Sequence, residues 1–374
     1  MKRILIDGTP ISCQIDGLTQ YILNVVLRLD YSAYQYTLLL RPNQCPEHYL
    51  DRLRETNVQI EEVDISPIGP LRDIQFARYL RKCCHFDAVF IPSNQFPLAL
   101  RLPTIYVVHD LIYEQFPEQL GKLCRLKRCY LRHVLKKGLM RAKHVIAVSH
   151  YTKNEILRCY GAQYQDKIQV VYEGWEHLLD YQIEPPQNIN IHFQQYMLYV
   201  GSSRGHKNLS RLIAAIQQCA ANLPENFGLV IVGNQQMFTA QQLQVIREIN
   251  SQREIIQLTG WLSNSDLAYC FQHANAFIFP SLCEGFGIPV LEAYFHKVPL
   301  LLSNQSSLPE VAGEAAIYFN PTDINDIANT IIRFLQERNH DDLIQKQTCR
   351  MKLYSWKKAA ITISNIITSI WDTK

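Results

Sequence analysis

Short apolar runs alternate with amphipathic stretches along all 374 residues, and the alternation is played through twice. Ile4 to Ile6, Tyr36 to Leu40, Ala88 to Ile91, Ile105 to Val108, Val145 to Val148 and Ile168 to Val171 form a first series. Met197 to Val200, Leu229 to Val232, Ile255 to Leu258, Ala276 to Phe279 and Pro299 to Leu302 form a second. Apolar runs of this length, separated by helical patterns, predict βαβ units and parallel sheets. Two such series predict two α/β domains, which the chain is long enough to support.

Between the series, Tyr181 to Gln195 carries Pro185 and Pro186 and follows neither a helical nor a strand period. The expected organisation is therefore a first domain over 1–182, a linker over 183–194 and a second domain over 195–355. Ile324 to Leu335 fits a helix. A last helix over 356–374 places Ala360, Ile363, Ile367 and Ile370 on one face, and is expected to pack back towards the first domain.

A formal charge of +3 gives no global signal for nucleic acid. The eleven cysteines include the adjacent Cys83 and Cys84 but no CxxC, which suits reduced thiols in a cytoplasmic protein. The start MKRILIDGTP reads as a core strand rather than a signal peptide. No window approaches the roughly 20 apolar residues of a membrane span, so any membrane contact is expected to be peripheral, at the inner face.

The most informative segment runs from Phe277 to Ser303: an apolar strand, the loop EGFG, then Pro289 opening a helix. Gly285 and Gly287 allow a tight turn and close approach of a ligand, and a helix N-terminus offers free N–H donors to phosphate or sugar oxygens. Glu284 before the turn and Glu292 eight positions later supply acceptors for hydroxyl groups. The bland alternative is a pair of carboxylates complementing a helix dipole. The whole segment resembles the E-x7-E signature of glycosyltransferase family 4, retaining enzymes of the GT-B fold. That resemblance implies two Rossmann-like domains with a donor cleft between them. It places Glu284 by the donor sugar, Gly285, Phe286, Gly287 and Ile288 along the loop that contacts the donor through its amides, and Glu292 on the ribose.

Met197 to Ile216 resembles the family's phosphate-binding loop, with Lys207 as the lysine that neutralises the donor diphosphate. Many relatives carry Arg directly before that lysine; this chain has His206 there and Arg204 two positions earlier, and either is a candidate for the second cation. His109 and Asp110, at the end of an apolar strand, resemble the family's HD segment, whose histidine approaches the donor sugar. Gly17, in DGLTQYILNVVLRL, matches a glycine that admits the diphosphate, although Asp16 stands where many relatives have a second glycine. Backbone groups of Trp261 and Leu262 match the segment beneath the nucleobase. VIAVSHYTKNEIL, with Ser149 as a helix cap, and VVYEGWE match landmarks read as scaffold.

No Asp or Glu occurs between Glu118 and Glu155, whereas the stretch 122–143 is rich in Lys and Arg. With Leu123, Leu126, Tyr130, Val134 and Leu135 it forms a basic amphipathic helix. Two readings stay open: docking on anionic lipid or an acidic acceptor, or packing on the first sheet with the charges in water.

No Asp-x-Asp and no His or Cys cluster with ligand spacing occurs, so no metal or other cofactor is expected. The expected function is transfer of a hexose, mannose or similar, from a nucleoside diphosphate sugar to a glycan or lipid-linked acceptor in surface polysaccharide assembly. Glu284 and His109 orient the sugar, and front-face attack retains configuration. A GT-B epimerase and a noncatalytic nucleotide-sugar-binding protein are the alternatives. A nicotinamide-dependent dehydrogenase is disfavoured, since no G-x-G-x-x-G follows a strand.

Overall fold

The computed structural model describes residues 1–371 except 84, 182–188, 235, 237 and 338. The chain divides into two compact units, Met1–Gly174 with Ser355–Lys374, and Trp175–Tyr354. The first unit is thus assembled from two separate stretches of chain. The division falls at Gly174, ahead of the expected linker at 183–194, much of which lies outside the described residues. Cys84 and 372–374 also lie outside them.

The first unit holds β1 (Lys2–Asp7), β2 (Tyr34–Leu40), β3 (Gln59–Glu62), β4 (Ala88–Ile91), β5 (Thr104–Val108), β6 (His144–Ala147) and β7 (Ile168–Val170). They form one sheet in the order β3-β2-β1-β4-β5-β6-β7, with every pairing parallel. The second unit holds β8 (Gln195–Val200), β9 (Phe227–Val232), β10 (Ile256–Gly260), β11 (Ala276–Phe279), β12 (Leu300–Ser303) and β13 (Ile317–Phe319). Their order is β10-β9-β8-β11-β12-β13, again all parallel.

Both sheets reverse winding direction once, between β1 and β4 and between β8 and β11. At such a reversal the loops leaving the two central strands diverge to opposite faces and open a crevice at their carboxyl ends, where ligands of open α/β sheets bind. In the first unit β1 leads towards Gly17 and β4 into Asn94; in the second β8 leads to Lys207 and β11 to Glu284.

Interior strands are apolar because helices cover both faces. Leu5, Val89, Tyr106 and Val145 pack with Phe76, Val134, Leu139 and Ile156 in one core cluster. Met197, Leu229, Ile278 and Leu301 pack with Leu212, Ile216, Ile327 and Ile331 in another. Each such side chain contributes roughly 1.5–3 kcal/mol by leaving water. One ion pair lies within the first core: Asp7 at the end of β1 meets Arg72 on the helix Pro70–Lys82, their side chains 0 % and 2 % exposed. Thr9 also donates its hydroxyl to Asp7, at 2.7 Å.

The last helix, Trp356–Ser369, belongs to the first unit. Its buried stripe of Trp356, Ala360, Ile363 and Ile367 is 0 % exposed. The Trp356 ring meets Tyr21 edge-on at 5.8 Å, Ser364 accepts from the Asp30 amide at 3.3 Å, and Lys2 Nζ lies 3.9 Å from the Trp371 ring centroid.

Candidate functional site

In the second unit the first strand at the reversal, β8, ends at Val200, and the chain continues through Gly201, Ser202, Ser203 and Arg204 into a tight turn over Gly205–Lys207. Asn208 then takes a left-handed conformation, φ 59°, and opens the helix Leu209–Cys219. Its side-chain amide donates to the carbonyls of Pro280, at 3.1 Å, and Pro321, at 2.6 Å. The Leu282 amide donates to His206 O at 2.7 Å. These bonds lace the loop after β8 to the loop after β11, so the two sides of the crevice are fixed to one another.

Lys207 projects from that turn, and Nζ donates to Glu284 Oε1 at 2.8 Å. Both side chains are largely withdrawn from water, at 19 % and 10 % exposure, and Nζ also lies 4.9 Å from the Phe279 ring centroid. The Glu284 backbone is held by Ser306, whose Oγ accepts its N–H at 3.1 Å, and by Ser307, whose hydroxyl donates to Glu284 O and Phe286 O. Phe286 and Ile288 turn their side chains inward, 3 % and 8 % exposed.

Gly287 caps the following helix, Ile288–Phe295, at φ 103°, a left-handed conformation that disfavours any side chain. Pro289 occupies the second helical position, where its lack of an N–H leaves no intrahelical bond unmade. Glu292 sits about one turn along, part-buried, its carboxyl without a hydrogen-bond partner among the described residues; withdrawal from water pushes that carboxyl up to about 7. An acceptor held this way gains by pairing with a hydroxyl donor.

His206 and Arg204 are separated by burial. His206 is 4 % exposed, and burial pushes its imidazole down to about 4, so it is neutral near pH 7. Arg204 is exposed. Of the two, the structure leaves Arg204 as the charge presented at this turn, while His206 serves the loop through its packing and its carbonyl. Neighbouring strands end in glycines that let main chains crowd together: a Cβ on Gly233, after β9, would stand 2.1 Å from Gly201 O. Gly233 donates to Gly260 O at the end of β10. Trp261 and Leu262 come directly after, with Trp261 59 % exposed, before Ser263 caps the helix Asn264–His273.

In the first unit Asp16 caps the helix Gly17–Val26 by accepting from the Thr19 amide, so it has a structural role. Gly17 is the exposed first residue of that helix. His109 follows β5. Asn94, after β4, accepts its N–H at 2.8 Å, the Pro92 carbonyl faces Nε2 at 3.0 Å, and Thr152 donates its hydroxyl to His109 O at 3.1 Å. Nδ1 lies 3.6 Å from Glu173 Oε1. The Tyr21 ring, from the helix that begins at Gly17, meets the imidazole edge-on at 4.6 Å. Both ring nitrogens of His109 therefore face acceptors of the protein itself, and the side chain is 15 % exposed.

Glu173 lies in the segment read from sequence as scaffold. It follows β7 at the carboxyl edge of the sheet, the same position that singled out His109 and Lys207. That rule, applied once more, would have found it.

Of the expected site residues, the second unit thus gathers Lys207, Glu284 and the Gly285–Ile288 loop and sets Glu292 on the helix behind them. Arg204, Trp261 and Leu262 stand on loops at the same strand edge. The first unit holds His109 and Gly17. Among the described residues no group of three His, Cys, Asp or Glu side chains is placed to hold a metal ion.

The profile described as Glycosyltransferase Family 4 matches residues 15–177, and that described as Glycosyl transferases group 1 matches 182–350. The chain is 28 % identical over 244 residues to O-antigen chain mannosyltransferase B of Escherichia coli, a match covering 63 % of each. It is 29 % identical over 246 residues to O-antigen chain mannosyltransferase RfbU of Salmonella typhimurium, covering 66 % of this chain and 64 % of that one. The chain spans less than two thirds of the length of these curated relatives, at 63 % and 64 %. Among solved structures, Anabaena HepE in complex with UDP and glucose superposes with a TM-score of 0.75 at 16 % identity, over 99 % of this chain and 100 % of that one. The fold is GT-B, and with one profile on each half the chain belongs to the family 4, group 1 glycosyltransferases.

Proposed function

We propose that the protein is a retaining, metal-independent hexosyltransferase that takes mannose or a similar sugar from its nucleoside diphosphate and places it on a glycan or lipid-linked acceptor in surface polysaccharide assembly. The observation that carries this reading is the Lys207–Glu284 pair, 2.8 Å apart beside a glycine-capped helix N-terminus. A cation and a helix N-terminus suit a pyrophosphate, and a carboxylate suits sugar hydroxyls. The names of the O-antigen mannosyltransferases that the chain resembles support mannose, and the UDP bound by HepE supports a nucleoside diphosphate.

In this reading Lys207 and Arg204 stabilise the departing diphosphate, whose loss builds oxocarbenium character at the anomeric carbon. Glu292 accepts from ribose hydroxyls, Trp261 and Leu262 border the base, and Gly17 and His109 belong to the first unit's part of the site. The acceptor hydroxyl attacks the face the phosphate leaves, and a phosphate oxygen takes its proton. That step needs no protein nucleophile.

Peripheral contact with an anionic membrane through 122–143 is part of the proposal, on a narrower set of residues than the sequence offered. Glu114 takes Arg128, at 2.9 Å, and Arg132, at 3.2 Å; Arg141 donates to Leu98 O and Lys127 to Leu120 O. Lys122, Arg125 and Lys136 are exposed, beside Leu123 and Leu126 at 68 % and 67 % exposure. No helix among the described residues is long and apolar enough to cross a membrane.

The test is a thermal-shift screen against nucleotide sugars in buffer containing EDTA, followed by transfer assays with and without acceptor. A ligand at a hundred times its Kd adds about 2.7 kcal/mol of stability. Lys207→Ala is expected to weaken donor binding and Glu284→Ala to lower turnover. Transfer unchanged in both variants, or a donor epimerised with no acceptor present, overturns the reading. Sedimentation with phosphatidylglycerol vesicles, compared with phosphatidylcholine alone, tests the membrane contact.

A further inference from the structure

We infer that Glu173 is a positioning residue that keeps the ring of His109 turned inward and holds a proton on its Nδ1. The inference rests on the reading that His109 belongs to the donor site.

Glu173 is 4 % exposed, and its one partner among the described residues is His109. A carboxylate withdrawn from water persists only beside a charge or a strong donor. Among the described residues the other polar groups near the pair are neutral or already engaged. The Tyr21 hydroxyl is buried without a hydrogen-bond partner among the described residues, and burial together with the nearby Glu173 drives it far above its ordinary value, so it stays neutral. Asn94 is spent on the His109 backbone and the Asp110 carbonyl, and the Thr152 hydroxyl on the His109 carbonyl. Asp110 accepts from the Ile112 amide.

The ring geometry is set by the group each nitrogen faces. Pro92 O can only accept, so Nε2, 3.0 Å away, is the donor of that bond. Nδ1 faces the carboxylate oxygen at 3.6 Å, an ion-pair distance. A hydrogen on both nitrogens satisfies both acceptors, so the ring is held with no lone pair turned to the substrate. Without Glu173, one neutral tautomer suffices and nothing anchors the Nδ1 side. Burial raises the Glu173 carboxyl above its ordinary value, and the hydrogen bond and charge of His109 oppose that rise.

The experiment is nitrogen NMR of full-length protein labelled with ¹⁵N-histidine at pH 7.5, with His109 assigned by the signals absent from His109→Gln. The wild type is expected to show both His109 nitrogens as N–H type. In Glu173→Gln, one is expected to move to the lone-pair type, while the other histidine signals and the melting temperature stay in place. A lone-pair nitrogen on His109 in the wild type, or an unchanged His109 spectrum in Glu173→Gln, overturns the inference. If that variant fails to fold, the wild-type spectrum decides. The measurement needs no sugar transfer, so its failure is separate from failure of the donor assignment. Where transfer is confirmed, Glu173→Gln should lower kcat about tenfold more than Glu173→Asp, which keeps the charge.

Discussion

Lys207 Nζ donates to Glu284 Oε1 at 2.8 Å, so the lysine assigned to the diphosphate is already committed to the carboxylate assigned to the sugar. An incoming diphosphate therefore shares a cation that has a partner. Lys207→Ala removes the phosphate contact and strands a buried carboxylate. Charged hydrogen bonds contribute about 1.5–3 kcal/mol, so affinity for a free nucleoside diphosphate should fall roughly 10- to 100-fold. Glu284→Gln should instead bind the diphosphate at least as tightly, because Lys207 is released. Calorimetric titration of both variants checks the pair.

The carboxyl of Glu292 offers a sharper trade. Its ordinary value is 4.5, and burial raises it to about 7 in the folded chain. The unfolded chain releases this proton first, so the stabilising contribution is complete below about 4.5 and is lost as pH rises towards 7. Glu292→Gln removes that loss. It should gain about 1–3 kcal/mol at pH 8 and little at pH 5, while weakening nucleotide-sugar binding. Urea unfolding at the two pH values, set beside the binding data, tests both halves.

Acid acts through a different pair. Burial holds His206 and His296 down to about 4 against an ordinary 6.5, and His296 stacks on Phe271 at 5.7 Å. The unfolded chain takes up protons at these positions from about pH 6.5 downwards, and the folded chain only near 4. Their contribution is complete above 6.5 and disappears as pH falls to 4, about 3 kcal/mol at most for each. His206→Gln should flatten that slope in urea midpoints recorded between pH 7 and 4.5, and should leave diphosphate affinity at pH 8 within a few-fold of wild type.

Arg72→Met should be among the costliest changes in the first unit. It leaves Asp7 buried with no counter-charge, a loss of about 3–5 kcal/mol. The double variant Asp7→Asn, Arg72→Met should recover much of this, since no charge is then stranded. Equilibrium unfolding of the two proteins measures the difference.

Eleven of the strands among the described residues were legible in the sequence because buried parallel strands are apolar throughout. The two that were not, β3 and β13, lie at sheet edges. β3 reads QIEE and keeps only partial cover, so its residues carry no core signature; β13 is three residues long, too short to show a period. At the site, Lys207, Glu284 and the glycine loop were legible because each follows a strand end with distinctive chemistry. The separate roles of Arg204 and His206 were not, because both are basic letters in sequence and only burial tells them apart. Glu173 was missed because its meaning depends on a histidine 64 positions earlier.

The helix Trp356–Ser369 has a consequence for how the chain comes into being. It seals the interior that begins with β1, yet a ribosome delivers it only after the whole of Trp175–Tyr354. The amino-terminal half must wait, with the faces that receive Trp356 and Ile363 open to water, while the half made later can close first. Order of synthesis and order of completion are inverted, and a nascent protein stalled before Ser355 would hold one finished body and one that lacks its closing wall.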